Sequence, residues 1–457
     1  MKKTMGQIAR MLGIEQDLGE FEEKIVTGIC FDTRQLQPGD LFVPFVGAER
    51  DGHTFVKQAI DQGAACAFWQ RDIPNPLVDY PVLLVEDTLD ALQQLARMYR
   101  EEVNPFVVGI TGSNGKTTTK DITRAIFEST YRTHATAGNF NNHIGLPYTI
   151  LTMAEDTEVA ILEMGMNHRH EIERLSTIAR PDVAIITNIG EAHIEHLGSR
   201  AGIAEAKLEI QAGLKEDGFL IIPNEEPLLR DQQEISPYQT FGRETSADIY
   251  PTEIRTETDG TWFQTNLTGD TELFVPIIGE HNVFNTMAAI LAAQECRISV
   301  PSIQQALLGM ERSKSRLEWL ETKKGARILN DAYNSSPTAL QAVLRTFMSM
   351  DSGAHAKWAV LADMLELGEN SERFHRESAA GLEKGKIDQV FLYGQAMKAF
   401  QAEAASRIGQ ENVHYFDTKD ALMDALLGAV TGNEWILVKG SYGMGLKDVV
   451  EKLIIGA

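Results

Sequence analysis

The sequence predicts an α/β protein of three domains built around a phosphate-binding loop, and three observations lead there. From about residue 105 to 316, short apolar runs rich in β-branched residues alternate with helical patterns, which argues for a mainly parallel sheet covered on both faces. After about residue 316 a second strand–helix rhythm begins with new segments. Between the apolar run "PFVVGIT" and a helical pattern lies "TGSNGKTTT", a glycine-bracketed turn carrying a lysine and a hydroxyl. A chain of 457 residues suits this division, since domains run to roughly 150 residues each.

Residues 1–103 read as a small α/β N-terminal domain. Within it, "GICFDTRQLQPGDLFVPFVG" reads as two short strands around a Pro38-Gly39-Asp40 turn. A helix at "HTFVKQAIDQG", strands at "ACAFW" and "PVLLVED", and a helix at "TLDALQQLARMYREE" follow, and Val103-Asn104-Pro105 reads as a hinge. Residues 104–316 form the central domain, with strands expected at "PFVVGIT", "VAILEM", "VAIITNI" and "FLIIP". The stretch "DIYPTEIRTETDGTWFQTNLTGDTELFVPIIG" alternates polar and apolar residues around Asp259-Gly260 and Gly269-Asp270, the pattern of an antiparallel hairpin insert. "HNVFNTMAAILAAQEC" then reads as a helix. Residues 317–457 read as a Rossmann-like α/β domain, with strands "ARILND", "WAVLADM", "QVFLYG" and "EWILVKG" and helices such as "SPTALQAVLRTFMSM".

Composition narrows the function. With 65 acidic against 42 basic residues the formal charge is -23, a field that repels nucleic acid and anionic membranes. The first twenty residues hold no continuous apolar region, so a secretory signal is not expected, and no run of about 18 apolar residues could span a bilayer. Cys30, Cys66 and Cys296 are scattered without metal-ligand spacing, as expected of reduced thiols in a cytoplasmic protein.

The loop carries the chemistry. A glycine-rich turn between strand and helix aims backbone N–H groups and the helix dipole at one point, which makes an anion site. Gly112, Ser113, Asn114, Gly115, Lys116, Thr117 and Thr118 are therefore candidates for binding ATP or GTP. Lys116 supplies a point charge for the terminal phosphates, and Thr117 a hydroxyl for Mg2+. The usual pattern has glycine five positions before Gly115, where this chain has Ile110. No base-reading N-K-x-D occurs, which weighs against a GTPase switch. Glu163 closes its strand, and Glu191 and His193 follow the next, so all three reach the sheet edge where such folds bind ligands. Lys207 lies on a helix between Glu205 and Glu209, a setting that reads first as a solvated, salt-bridged lysine.

Taken together, "GITGSNGKTTT", "EMGMN", "TNIGEAHIEHLGS", "AEAKLEI", "GEHNVFNTMAA", "SRLEW" and "NDAYNSSPTAL" resemble, in order, the motifs of the Mur ligase family. That family's loop reads T-G-[ST]-N-G-K-T, so Ile110 is no defect. The stretches "AGNFNNHIGLPYTIL", "MGMNHRHEI" and "LADMLELGENSERFH" are most similar to the branch that joins D-alanyl-D-alanine to UDP-N-acetylmuramoyl-tripeptide with ATP. Other ligases of the superfamily, one adding the third peptide residue and one like folylpolyglutamate synthase, are the alternatives. The resemblance implies that Lys116 and Thr117 hold ATP and Mg2+, and that Glu163 and His193 bind magnesium, two ions being expected. It implies a carbamylated Lys207 as a further metal ligand, since an ammonium cannot ligate a metal. Asn282, Asn285, Arg316 and Asp331 are implied to contact the nucleotide, and Tyr333 and Asn334 the adenine or the dipeptide. Thr33 and Arg34 are implied to hold the UDP end; Asn141, Asn142 and the Lys439-Gly440-Ser441 turn are further candidates for substrate contacts. A monomer is expected, with neither nucleic-acid partner nor membrane insertion.

Overall fold

The computed structural model describes residues 1–47, 50–77, 79–232, 235–311 and 316–456. Three α/β sheets, of four, six and six strands, follow one another along the chain, as the strand–helix alternation predicts. In the first, β1 (Gly28–Cys30), β2 (Asp40–Phe42), β3 (Cys66–Gln70) and β4 (Val82–Val85) lie in sequence order. The Pro38-Gly39-Asp40 turn does lead into β2, but β1 and β2 pair in parallel, with Gly28 opposite Asp40. The intervening segment is thus a crossover and not a tight hairpin. Helix α1 (Thr88–Val103) starts where Asp87 accepts a hydrogen bond from Asp90 N, and ends at Asn104 in the left-handed conformation.

The central sheet contains β5 (Phe106–Thr111), β6 (Thr133–Ala135), β7 (Val159–Glu163), β8 (Val183–Ile186), β9 (Phe219–Pro223) and β10 (Tyr238–Phe241). Its spatial order is β10-β9-β8-β5-β7-β6, every pair parallel. Successive side chains leave opposite faces of a strand. Accordingly Val107, Ala160, Leu162, Ala184 and Ile186 join one apolar cluster, and Val108, Ile110, Ile161 and Ile185 the other. Strand order reverses on either side of β5, so the crevice beyond the carboxyl ends of β5, β7 and β8 is the place for a ligand.

Asn104 is not a free hinge. The first apolar cluster runs unbroken from Leu92, Leu95 and Tyr99 of α1 into Leu146 and Ile150 of the central domain. The buried Tyr99 hydroxyl donates to Met153 O at 2.8 Å, and the N-terminal ammonium donates to Leu151 O at 2.8 Å. The first domain is therefore docked by a shared core.

The expected hairpin insert has a third strand. Strands β11 (Pro251–Thr256), β12 (Thr261–Thr265) and β13 (Leu273–Val275) form an antiparallel meander, because both glycine turns reverse the chain. Its Phe263, Leu273 and Val275 pack with Val283 and Met287 of the helix Glu280–Glu295.

The last sheet has the order β14-β15-β19-β16-β17-β18, from β14 (Glu318–Glu321), β15 (Arg327–Asp331), β16 (Ala356–Ala362), β17 (Gln389–Tyr393), β18 (Val413–Phe416) and β19 (Glu434–Lys439). All pairs are parallel except β14–β15. Cys30 and Cys66 are buried and Cys296 partly so, all three free thiols, and burial pushes Cys66 up to about 12. Among the described residues no helix is long and apolar enough to cross a membrane.

Candidate active site

The phosphate loop leaves β5 and enters the helix Lys116–Glu128, and two glycines make its path possible. Gly112 has φ 150°, and a Cβ there would lie 1.8 Å from Thr187 Oγ1. Gly115 has φ 80°, in the left-handed region, and a Cβ would meet the Asn285 amide at 2.9 Å. The residues after β8 clamp the turn. Asn188 accepts from Asn114 N and donates to Asn114 O, each at 3.0 Å, and Thr187 Oγ1 donates to the same carbonyl at 2.5 Å. Lys116 Nζ donates to Gly112 O at 2.8 Å. Burial lowers the Lys116 pKa, against the pull of Glu163.

Glu163, at the end of β7, is 2% exposed. Its Oε1 accepts from Asn141 Nδ2 at 2.8 Å, while its Oε2 is buried without a hydrogen-bond partner. A buried carboxylate oxygen left open is costly unless a cation meets it. No cluster of three or more His, Cys, Asp or Glu occurs among the described residues. Mg2+ does not require one, because it is commonly held by one or two carboxylates together with phosphate and water. The open Glu163 oxygen, the Thr117 hydroxyl and the loop therefore fit that ion.

His193 begins a short helix with φ 64°. Glu366 Oε2 lies 2.5 Å from its Nδ1, although Nδ1 has no partner by hydrogen-bond angle; the approach is close but poorly aligned. Burial lowers the His193 pKa; Glu366 opposes this, and Lys116 and Lys207 add to it.

Lys207 is 1% exposed, so the solvated reading fails. Its glutamate neighbours are occupied elsewhere: Glu205 pairs with Arg169, and Glu209 accepts from His170 N and Glu173 N. Burial, reinforced by Lys116, holds the Lys207 pKa well below the ordinary lysine value. Its amine is thus biased toward the neutral, nucleophilic form.

Two cavities meet at the loop. The smaller, about 560 Å3, is lined by Ser113 to Thr118, Asn141, Glu163, Asn282, Asn285, Asp331 and Lys439. Asn285 Nδ2 donates to Asn282 Oδ1 at 3.1 Å, so the two amides share one helix face as their spacing predicts. Lys439 Nζ reaches Asp331 Oδ2 at 2.5 Å and Asn334 O at 2.8 Å. The larger cavity, about 1110 Å3, is lined among others by Lys120, Asp121, His193, Glu366, Ser441 and Tyr442. Thr117, Arg316, Tyr333 and Asn334 line both cavities. At that junction Arg316 donates to Thr117 Oγ1 at 3.0 Å, and its guanidinium lies 4.3 Å from the Tyr333 ring centre.

Three sequence candidates lie apart from this centre. Thr33 and Arg34 line neither cavity. Arg34 is well exposed and forks onto Asp32 through Nε at 2.9 Å and a terminal nitrogen at 2.6 Å, holding Asp32 down at about 2. The Asn142 side-chain Oδ1 accepts from Ile144 N and Gly145 N, so that side chain braces the turn leading into the helix Gly145–Leu151. Sequence reasoning missed the interdomain seam. Ser336 Oγ donates to Asn114 Oδ1 at 3.0 Å, and Thr338 donates to Glu191 through N at 3.1 Å and Oγ1 at 2.8 Å. Both sit at the start of the helix Pro337–Ser349, where a carboxylate is favoured by the helix dipole.

Comparison with known proteins agrees with this architecture. Family models described as Mur ligase family, catalytic domain; Mur ligase middle domain; and Mur ligase, glutamate ligase domain match residues 25–100, 110–293 and 315–442. The chain is 45% identical over 455 residues to the UDP-N-acetylmuramoyl-tripeptide--D-alanyl-D-alanine ligase of Bacillus subtilis, covering 99% of each. It is 32% identical to the Escherichia coli protein of the same name, with 98% of each chain covered. Among solved structures, MurF from Acinetobacter baumannii superposes with a TM-score of 0.86 at 28% identity, covering 99% of both chains. MurF ligase from Thermotoga maritima, solved in complex with ADP, gives a TM-score of 0.82 at 27% identity, covering 94% of this chain and 97% of that one.

Proposed function

The chain belongs to the Mur ligase family, and from that premise we propose that it joins D-alanyl-D-alanine to UDP-N-acetylmuramoyl-tripeptide using ATP. This would be the last peptide-adding step in making the peptidoglycan precursor. The observation that carries the reading is the meeting of two cavities at Thr117, Arg316, Tyr333 and Asn334. One cavity contains the phosphate loop, and the other is large enough for a peptide acid and an incoming amine.

A carboxylate is inert to amines because oxide is a poor leaving group. Transfer of the ATP γ-phosphoryl group to the acid makes an acyl phosphate, and catalysis is then mostly positioning and charge neutralisation. Lys116 and the loop N–H groups hold the transferring phosphate, and Arg316 reaches the same point from the domain junction. The dipeptide amine attacks the acyl carbon, and the tetrahedral intermediate expels phosphate to leave the amide. Asn282, Asn285 and Asp331 are read as nucleotide contacts, Asn141 as the orienting partner of Glu163, and Tyr333 and Asn334 as the wall between the reactants. Thr33 and Arg34 are read as holding the UDP end, with the outer edge of the Arg34 fork open to solvent.

Thr117, Glu163 and His193 would hold Mg2+, which supplies neutralisation between two anionic reactants. Lys207 is read as carbamylated. Its neutral amine adds to CO2, forming a C–N bond and releasing a proton, and leaves an anionic oxygen group. Burial of the side chain supports this, as does Lys116, which repels an ammonium but attracts a carbamate. The enzyme is read as a cytoplasmic monomer, since one chain supplies every element of the site.

The test is a product assay by mass with acceptor and amine varied independently. ADP and phosphate should appear only with tripeptide, ATP and dipeptide together, and acceptor oxygen labelled with 18O should enter the phosphate. Equal ATP turnover without the dipeptide, or turnover with a single amino acid on a shorter acceptor, would overturn it.

A further inference from the structure

We propose that Glu366, on the third domain, is the positioning residue that fixes the His193 imidazole of the central domain. Glu366 Oε2 stands 2.5 Å from His193 Nδ1, and both residues line the larger cavity. The proposal rests on the reading above only for what His193 then does.

Both partners are non-glycine residues in left-handed backbone, Glu366 at φ 61° and His193 at φ 64°. Each such residue costs roughly 1–3 kcal/mol and persists only when its surroundings over-determine it. The surroundings of Glu366 do so, residue by residue. Asp363 accepts from Ala396 N at 3.2 Å and Met397 N at 2.9 Å. Met364 N donates to His375 Nε2 at 3.0 Å, and Leu365 N to Ser441 Oγ at 2.9 Å. Glu366 O accepts from Glu195 N at 3.2 Å, which ties the arm to the segment carrying His193. The arm after β16 is thus built to deliver one carboxylate across the domain boundary.

A carboxylate can only accept at Nδ1, so it selects the imidazole tautomer with hydrogen on Nδ1 and leaves the Nε2 lone pair free. That is the arrangement usual for histidines that bind metals. Because the carboxylate comes from another domain, His193 is oriented only when the third domain is docked. The two atoms are already in contact and only the angle is poor, so a small rotation of either side chain with the third domain docked completes the hydrogen bond. Histidine presentation and domain docking then become one event.

The experiment uses the full chain labelled with 15N-histidine, with His193 signals assigned by their loss in His193→Gln. Long-range 1H–15N spectra should show the Nδ1–H tautomer in the parent. Glu366→Ala should lose that preference, while Glu366→Gln, whose amide oxygen still accepts, should keep it. In turnover assays Glu366→Ala should raise the half-activating Mg2+ concentration about 10-fold, and Glu366→Gln should raise it far less. An unchanged His193 spectrum in Glu366→Ala, or equal loss of the tautomer in Glu366→Gln, overturns the proposal. A changed spectrum with an unchanged Mg2+ requirement upholds positioning by Glu366 and overturns the reading of His193 as a metal ligand.

Discussion

Replacing Lys207 by methionine separates what this residue does for the fold from what it does for the reaction. The side chain is 1% exposed and lies on the inward face of the helix Arg200–Leu208, beside the buried Ile203, Ala204 and Ala206. Burial lowers the amine's pKa well below the ordinary lysine value, and burying an imperfectly compensated polar group costs about 1–3 kcal/mol. Methionine keeps the chain length and approximate volume without the polar end, and volume-conserving swaps are tolerated well. In metal-free buffer stripped of CO2, the variant should therefore be about 1–2 kcal/mol more stable. For a domain of roughly 150–250 residues that is a rise of about 2–8 °C in Tm. Turnover should move the other way, because methionine can be neither carbamylated nor a source of anionic oxygen. A loss of at least about 1000-fold in kcat, some 4 kcal/mol of barrier, is expected. Scanning calorimetry and the phosphate-release assay read the two effects, and 13C-labelled bicarbonate should give a carbamate carbon signal that Lys207→Met abolishes. A variant several degrees less stable, or one within tenfold of parental turnover, would refute the reasoning.

Gly112→Ala places a methyl 1.8 Å from Thr187 Oγ1 at an unfavourable φ, so ADP affinity by calorimetry should fall at least about 10-fold. Tyr99→Phe removes the buried hydrogen bond to Met153 O and should cost about 1–2 kcal/mol, seen as a Tm lower by about 2–8 °C with turnover unchanged. His281, in the smaller cavity, is pushed by burial from 6.5 down to about 4. Between those values the unfolded chain binds a proton that the folded chain refuses, so this stability is present above 6.5 and lost as pH falls toward 4. His281→Asn should flatten the denaturation midpoint over that window, recovering up to about 1.4 kcal/mol for each pH unit.

What could be read from the residues was the local part of the fold. Runs such as "VAILE" and "VAII" are buried on both faces, so their apolar continuity identifies a parallel sheet, and the loop announces itself through its own glycines. The local pattern around Lys207 misleads toward a solvated lysine because Glu205 and Glu209 flank it in sequence, whereas in space they serve Arg169 and the His170–Glu173 turn. The edge strand β6 has three residues, too few for periodicity to register. Contacts such as Ser336 with Asn114 join residues 222 apart, and no local pattern encodes a pairing of that span. Glu366 lies in the stretch "LADMLELGENSERFH", which marks the branch, but only the fold shows what it faces.

The residues that line both cavities bear on inhibitor design. A compound filling both chambers would run against Arg316 and Tyr333, whose guanidinium and ring centre lie 4.3 Å apart. Its linker would have to part that pair or replace it with a flat cationic or aromatic group of its own. Such a linker would touch Thr117 of the loop and Asn334 beyond the junction at once, so affinity gained from tethering would come with the third domain pinned in place.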